Sequence, residues 1–492
     1  MTRKTNIWKY MAVAVTALLF TTSCNQSYPG LYYEPDEDVP SNDEDLKIEE
    51  TPIKIYTRSP AFFSLTTRNT RGTGAFDDAN NQKKYDNAIF HVFAFRAGTG
   101  NDGMGGQGTL ERAVDLSMSA YSERKNDSYN ESCLLDGENY LTGMPYRFAT
   151  NNNESEADAN RTQYGSLEPT VDYPIYYSGT YQDVGYNFFA YYIDDWQPTS
   201  SNTHRTSDGI SYDIDLDGNR DLLLGHANQL TVADFEKDGN YYDLHLSTED
   251  RDRILGMAGG YSTFAGHRNV HPVIRMNHAM TRLVFQAYPG NESANRVKIT
   301  GISVKSCSRA TMKVAGRRFD DCGITFPDKA SNKSLWKDMK LCDVVFNEDG
   351  TPSSTVNPDG FNSPYVLTYD NTISTQPLTT LGTSLLLVPE KNYEVTLHYD
   401  FIQENGEVKS FSAIYYINAP KDDGISVDEN GENRFMPGVM YNIKIGVFGL
   451  EKIVMDAAVQ GWSNGGSIEI DPDNPGTNPD LPGTGPDITI ED

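Results

Sequence analysis

Basic residues are scarce in this chain. Among its 492 residues, lysine and arginine number 41 and aspartate and glutamate number 69, so the formal net charge at pH 7 is −28. Such a negative surface repels nucleic acid and anionic lipid headgroups, and it favours solubility outside the cell. The composition therefore excludes a nucleic-acid-binding protein.

The sequence also lacks the motifs of several enzyme classes. It contains no G-x-S-x-G nucleophile elbow, no H-E-x-x-H zinc motif and no C-x-x-C pair. His267 and His271 are four residues apart, but the glutamate of a zinc protease is missing between them. A catalytic pair of carboxylates brought together by folding would have no local sequence motif. We nevertheless predict that the protein is not an enzyme and that it needs no organic cofactor.

Cysteines are few, and they fall into two groups. Cys24 ends the N-terminal apolar segment, whereas Cys133, Cys307, Cys322 and Cys342 lie in the body of the chain. In an exported protein, four cysteines can form two disulfides in any of three pairings. They can equally remain buried thiols. The sequence leaves both alternatives open.

Long apolar runs are also rare, and the run at residues 11–20 is too short to span a bilayer. Three basic residues precede it and small residues follow, as in a secretory signal. The segment before Cys24 resembles a lipoprotein cleavage box, although Thr21 stands where leucine is usual. We predict that residues 1–24 are a lipoprotein signal peptide and that Cys24 is lipidated, which tethers a protein without crossing the membrane. The alternative is an ordinary signal cleavage site and a soluble exported chain.

What the chain does contain is a series of short β-prone runs. Residues 25–52 are acidic, contain prolines and are typical of a flexible spacer. Apolar or alternating runs then recur along the chain, at 53–67, 88–95, 184–194, 273–287, 297–304, 384–388, 393–401, 408–417 and 440–447. Turn residues separate the later runs, and long helical patterns are few. These features predict an all-β protein.

We predict two tandem antiparallel β-sandwich domains with long loops, of transthyretin-like or Greek-key topology. Their predicted bounds are residues 53–270 and 271–470. Residues 471–492 form a Pro/Gly-rich tail that cannot extend a sheet, except at the short apolar run 488–490.

Two short patterns resemble the fimbrillin-like family, the type V pilus subunits of Bacteroidales. The first is F-x-P-G-x-x-Y-x-I-x-I at residues 435–445, followed by a short turn and a strand that ends near Trp462. The second is Asp-Leu-Leu at residues 221–223, then His-Ala-x-Thr-Arg at residues 278–282, with Met280 where leucine is frequent in the family. The resemblance extends over most of the mature chain, through short motifs.

The resemblance implies a structural subunit, or an accessory or tip component, of a surface fimbria that contributes to cell adhesion. Such a protein is lipid-anchored in the outer membrane and exposed at the cell surface. Its implied partners are other pilin subunits, in a homopolymer or heteropolymer, and a ligand on a host or bacterial surface. Assembly in this family proceeds by exchange of β-strands, so it needs no active site.

In this family an Arg-specific protease removes the first strand after export, which leaves a groove for a partner's strand. Here the apolar run at residues 53–67 is followed by Arg68 and Arg71 in a Gly/Thr/Asn-rich segment, which is typical of an accessible protease site. We predict cleavage after Arg71, with Arg68 as the second candidate and Arg58 as the third. The alternative is an ordinary first strand followed by a solvated loop.

One acidic segment resembles the start of a calcium-binding loop. Asp213, Asp215, Asp217 and Asp221 place short carboxylates at spacings that can surround one hard cation. The twelfth position is Leu224 rather than the bidentate glutamate that such a loop requires. The sequence therefore leaves open a calcium site and an acidic hairpin.

A second functional alternative is a monomeric surface lipoprotein that binds glycans. Aromatic residues able to stack on sugars are concentrated in one region: Tyr173, Tyr176, Tyr177, Tyr191, Tyr192 and Trp196. Such residues also cover half-buried sheets. His278 is interpreted as structural, because no second metal ligand or nucleophile accompanies it at a workable spacing.

Overall fold

The computed structural model describes residues 53, 55–58, 89–96, 142–150, 164–170, 177, 185–194, 196–206, 209–227, 229–235, 246–257, 260–316, 321–346, 352–421, 426–450, 453–460 and 488–490. The predicted lipidation site Cys24 and the cleavage candidates Arg68 and Arg71 lie outside these residues. So do Cys133 and the signal peptide.

The described residues form twenty-three β-strands and two short α-helices, so the predicted all-β class is confirmed. The helices are α1 (Thr248–Gly256) and α2 (Thr263–Gly266). Each begins after a serine whose hydroxyl accepts a backbone N–H of the first turn, which compensates for a missing helical partner. Within the described part of the chain, no helix is long and apolar enough to cross a membrane.

Seven strands form a sheet that closes on itself, which we call the closed sheet. The strands, in their order around it, are β1 (Ile55–Arg58), β4 (Tyr164–Pro169), β3 (Met144–Thr150), β2 (Ile89–Arg96), β5 (Tyr186–Ile193), β8 (Leu222–Ala227) and β9 (Val273–His278). All neighbours are antiparallel except β1 and β9, which run parallel. Every residue of β5 is buried, so this strand is covered on both faces.

A four-stranded sheet packs on the outside of β5. Its strands are β13 (Gly323–Thr325), β12 (Arg309–Gly316), β7 (Gly209–Asp215) and β6 (Thr203–Thr206). Tyr212 on β7 contacts Tyr191 and Trp196, with ring centroids 5.2 Å apart in both pairs. Strands β9 and β12 both follow residue 270, where the sequence predicts a domain boundary, and yet they pair with strands that precede it.

Most of the remaining strands form two facing sheets, which we call the second half. One sheet contains β18 (Thr379–Leu387), β10 (Thr281–Pro289), β21 (Met440–Val447) and β22 (Ile453–Gln460). The other contains β14 (Trp336–Lys340), β11 (Val297–Cys307), β19 (Asn392–Ile402), β20 (Val408–Asn418) and β23 (Ile488–Ile490), with β17 (Tyr365–Val366) beside β11. The short strands β15 (Val344–Phe346) and β16 (Pro352–Val356) pair with each other.

The period-two pattern of β21 explains how the second half is held together. Tyr441, Ile443 and Ile445 are fully buried, whereas Asn442 and Lys444 between them are partly exposed. The buried side of β21 joins a cluster of apolar residues to which both sheets contribute. The two sheets therefore enclose one core.

Candidate functional site

The first described strand, β1, completes the closed sheet. On one side it pairs antiparallel with β4, from Ile55 opposite Leu167 to Arg58 opposite Tyr164. On the other side it pairs parallel with three residues of β9, which begin at Val273. Without β1, strands β4 and β9 would each lose the hydrogen-bonding partner on one edge. We call the space between β4 and β9 the β1 slot.

The described side chains at the start of β1 are apolar and buried. Ile55, the first residue of β1, is 1% exposed, and Ile53, two residues before it, is 3% exposed. Complete burial of an isoleucine stabilises a fold by about 1.5–3 kcal/mol. An occupant of the slot therefore needs a short β-strand with alternate apolar residues.

The order of the chain makes β1 separable from the rest. Arg58 is the last residue of β1, and Arg68 and Arg71 follow it in the sequence. A cut after any of the three arginines would leave β1 on the N-terminal fragment. The strand would then be held by noncovalent contacts alone.

Strand β9, which borders the slot, has a buried hydrogen-bonded side-chain pair at its far end. His278 Nδ1 lies 3.0 Å from both carboxylate oxygens of Asp221, and its hydrogen bond is to Oδ1. The same Oδ1 accepts the backbone N–H of Leu222 at 2.9 Å. The Asp221 side chain is fully buried and the His278 side chain is 5% exposed. The prediction that His278 has a structural role stays a prediction, but its partner is a carboxylate that the sequence had suggested for calcium.

The two family-like patterns meet where the closed sheet passes into the second half. Thr281 Oγ1 donates to the carbonyl of Met436 at 2.9 Å, and Gly438 N–H donates to the carbonyl of Met280 at 2.9 Å. Gly438 has a φ of +69°, a left-handed conformation that glycine adopts without strain. The motif residues thus form a connection between the two halves.

Arg282 belongs to the same connection. It is 4% exposed, and burial lowers the pKa of its guanidinium to about 9. Its Nε donates to the hydroxyl of Ser384 on β18 at 3.2 Å. This hydrogen bond joins β10 to β18, and the sequence patterns did not reveal it.

The four aspartates of the acidic segment do not converge. Asp213 accepts hydrogen bonds from His204 and Thr311, Asp217 binds a backbone N–H in its own turn, and Asp221 is the buried partner of His278. Asp215 is exposed and lies 3.6 Å from Arg309. In the described residues no three His, Cys, Asp or Glu side chains form a metal-binding group. Each of the four aspartates thus has its own separate neighbours, and the calcium site stays a prediction.

The exposed His204–Asp213 pair is the counterpart of the buried one. Nε2 of His204 lies 2.8 Å from Oδ2 of Asp213, and the two side chains are 53% and 39% exposed. Burial alone would raise the pKa of Asp213, but the hydrogen bonds from His204 and Thr311 lower it below its usual value. This pair is a natural control for the buried one.

The aromatic residues suggested for sugar stacking are mostly part of the core. Tyr177 and Tyr191 are each 1% exposed, and Tyr192 is also buried. Trp196 is half-buried against Tyr212. Tyr173 and Tyr176 lie outside the described residues. The four described rings therefore do not present an open stacking platform.

Three of the four body cysteines are described, and all three are free thiols. Two disulfides among four cysteines would require at least one bond within this group of three, so the two-disulfide alternative is wrong. Burial raises the pKa of Cys307, that of Cys322 to about 12 and that of Cys342 to about 11. These thiols stay protonated at neutral pH.

The apolar run near the C-terminus forms β23, as its sequence indicated. Its three residues pair antiparallel with Phe411, Ser412 and Ala413 of β20, at the edge of a sheet. Strand β20 has eleven residues, so β23 covers only part of that edge. The C-terminal strand is thus held by few main-chain contacts.

The sequence matches no family model and no curated protein. Among the solved structures that the chain resembles are candidate cell adhesion proteins and fimbrial proteins of Bacteroidales.

One of these structures is a candidate cell adhesion protein from Bacteroides uniformis, with a TM-score of 0.37 and 10% identity over 84% of this chain and 99% of that chain. Another is the fimbrial anchor protein Mfa2 from Porphyromonas gingivalis, with a TM-score of 0.26 and 9% identity over 82% of this chain and 97% of that chain. A third is a candidate cell adhesion protein from Parabacteroides distasonis, with a TM-score of 0.33 and 9% identity over 85% of this chain and 98% of that chain. All three TM-scores are below 0.5, so the function of this chain is inferred from its own strands and sequence patterns.

Proposed function

We propose that the protein is the precursor of a fimbrial subunit or of an accessory or tip component of a fimbria. It is anchored through lipidated Cys24 to the outer membrane and faces the outside of the cell. An Arg-specific protease cuts between the first strand and the rest of the chain, β1 leaves its slot, and a strand of another pilin subunit takes its place. The assembled fimbria then contributes to cell adhesion.

The observation that supports this function is the position of β1. It is the first described strand, it has four residues, and it pairs with β4 on one side and β9 on the other. Loss of β1 would leave two sheet edges with unpaired N–H and C=O groups beside an apolar slot. A sheet with such an edge binds an extended strand through main-chain hydrogen bonds and alternate side-chain pockets. Assembly by this route requires no catalytic residue in the chain.

The C-terminal segment is the proposed donor strand. Residues 461–487, which precede this strand in the chain, lie outside the described residues. The strand at its end, β23, is held by three residue pairs at the edge of β20. A strand held by so few pairs can leave this edge for a neighbouring subunit at little cost in stability.

N-terminal sequencing of the surface-exposed form tests the proposed maturation. We expect the chain to begin at Gly72. In an Arg71→Lys variant the start should move to Asn69, because the protease recognises the guanidinium group and lysine preserves only the charge. Arg68→Lys is the matched control and should leave the start at Gly72. Detection of acyl-Cys24 as the only N-terminus at the cell surface would contradict the proposal.

A further inference from the structure

Strand β9 is held differently at its two ends. Val273, Ile274 and Arg275 pair with β1, whereas Asn277 and His278 pair only with β8 among the described strands. If β1 leaves, the first end of β9 loses its neighbour on that side. The strand can then serve as an acceptor only if something else keeps it extended.

The Asp221–His278 pair is placed at the other end of the same strand. Asp221 immediately precedes β8, and His278 is the last residue of β9, so the pair joins the two strands where their ladder begins. The neighbouring backbone closes the same junction, because Ala279 N–H donates to the carbonyl of Leu222 at 2.8 Å. Fifty-seven residues of sequence separate the two side chains.

Because the pair is buried, the Asp221 carboxylate would be costly to leave without its hydrogen-bond partners. A buried carboxylate is tolerated when it is paired and hydrogen-bonded, and Asp221 has both His278 and the N–H of Leu222 as partners. If β9 moved away from β8, the carboxylate would lose its main partner inside the protein. The pair therefore opposes separation of β9 from β8 independently of β1.

We infer that Asp221 and His278 are positioning residues that keep β9 in place as an acceptor edge while the β1 slot is empty. The inference rests on the function proposed above, because only a removable β1 leaves the slot empty. In the described register neither residue pairs with β1, whose partners on β9 end at Arg275. The pair acts on the acceptor strand from the end that β1 does not touch.

Hydrogen exchange measured by mass spectrometry on the full-length, uncleaved protein tests the inference strand by strand. In the wild type, transient opening of β1 should expose its amides to exchange faster than those of β9. In Asp221→Ala, the amides of β9 should exchange about 100-fold faster, because His278 loses a charge-assisted hydrogen bond. Exchange in β19, within the second half, should not change.

Two further variants distinguish positioning from general stabilisation. Asp221→Asn keeps an oxygen that accepts from Leu222 and His278, so it should restore most of the protection of β9. Asp213→Ala breaks the exposed His204–Asp213 pair and should leave exchange in β9 unchanged. If Asp221→Ala does not fold, His278→Gln replaces it, with about 10-fold faster exchange in β9 expected.

Exchange in β9 tests the positioning role, whereas exchange in β1 tests the proposed function. Unchanged exchange in β9, or equal acceleration in β9 and β19, would overturn the positioning role. Exchange in wild-type β1 as slow as in β9 would instead count against a removable first strand.

Discussion

In the closed sheet a single strand of four residues completes the ring, whereas in the second half the central strands β11, β19 and β20 each have eleven residues. Strands β19 and β20 pair along their whole length, from Asn392 opposite Asn418 to Ile402 opposite Val408. Loss of β1 alone would open the closed sheet. The core of the second half, in contrast, is built on long central strands. Under the proposed function, the molecule combines a region that loss of β1 opens with a region that stays folded.

Matched core substitutions give the largest expected effect on this comparison. Leu397→Ala removes a fully buried side chain from β19 and should lower the free energy of unfolding of the second half by about 2–5 kcal/mol. Under the proposed function β1 opens locally before the rest unfolds, so Ile55→Ala should change the global free energy of unfolding by only about 1 kcal/mol or less. It should instead increase the rate of Arg-specific cleavage.

Urea unfolding monitored by circular dichroism measures the free energy of unfolding of each variant. Limited proteolysis in parallel measures the rate of Arg-specific cleavage. An equal loss of stability in the two variants, with no change in cleavage rate for Ile55→Ala, would show that β1 is an integral part of one cooperative unit.

The buried thiols provide a smaller test of whether the second half stays closed. The thiolate is the reactive form, and with a pKa of about 11 only about a thousandth of Cys342 is ionised at pH 8. Alkylation of Cys342 should therefore be slow in the intact protein and equally slow after β1 is cut away. Fast labelling of the cleaved protein would show that loss of β1 also opens the second half.

The raised pKa of Cys342 also sets a direction for stability against pH. Between the ordinary thiol pKa of 9.0 and about 11, the unfolded chain has lost its proton and the folded chain retains it. The free energy of unfolding should fall as the pH rises through this window. A Cys342→Ala variant should show a shallower fall in the same urea titration.

Features that depend on local sequence could be predicted, and those that depend on pairing across the chain could not. The period-two pattern of β21 predicted a strand with one buried face, and the apolar run at residues 488–490 predicted β23. The pairing of β12 with β7 joins residues about a hundred positions apart, and the parallel pairing of β1 with β9 joins residues more than two hundred apart. No local pattern specifies such partners.

The acidic segment shows why local spacing alone does not identify the partners of a side chain. Alternate aspartates are typical of the start of a calcium loop, but they also arise wherever a strand has one face towards solvent. Asp213 and Asp215 are on the outer face of β7, while Ile214 between them is fully buried. The role of Asp221 depends on His278, which comes fifty-seven residues later. The spacing within the segment therefore could not reveal it.

The native mass of the protein after treatment with an Arg-specific protease tests the central claim most directly. Size-exclusion chromatography with light scattering should show release of the N-terminal fragment that carries β1 and particles of several copies of the remaining chain. A variant with both Arg68→Lys and Arg71→Lys should stay uncleaved at these sites and elute as one copy. A cut chain that keeps its N-terminal fragment bound and retains the mass of a single copy would contradict the account.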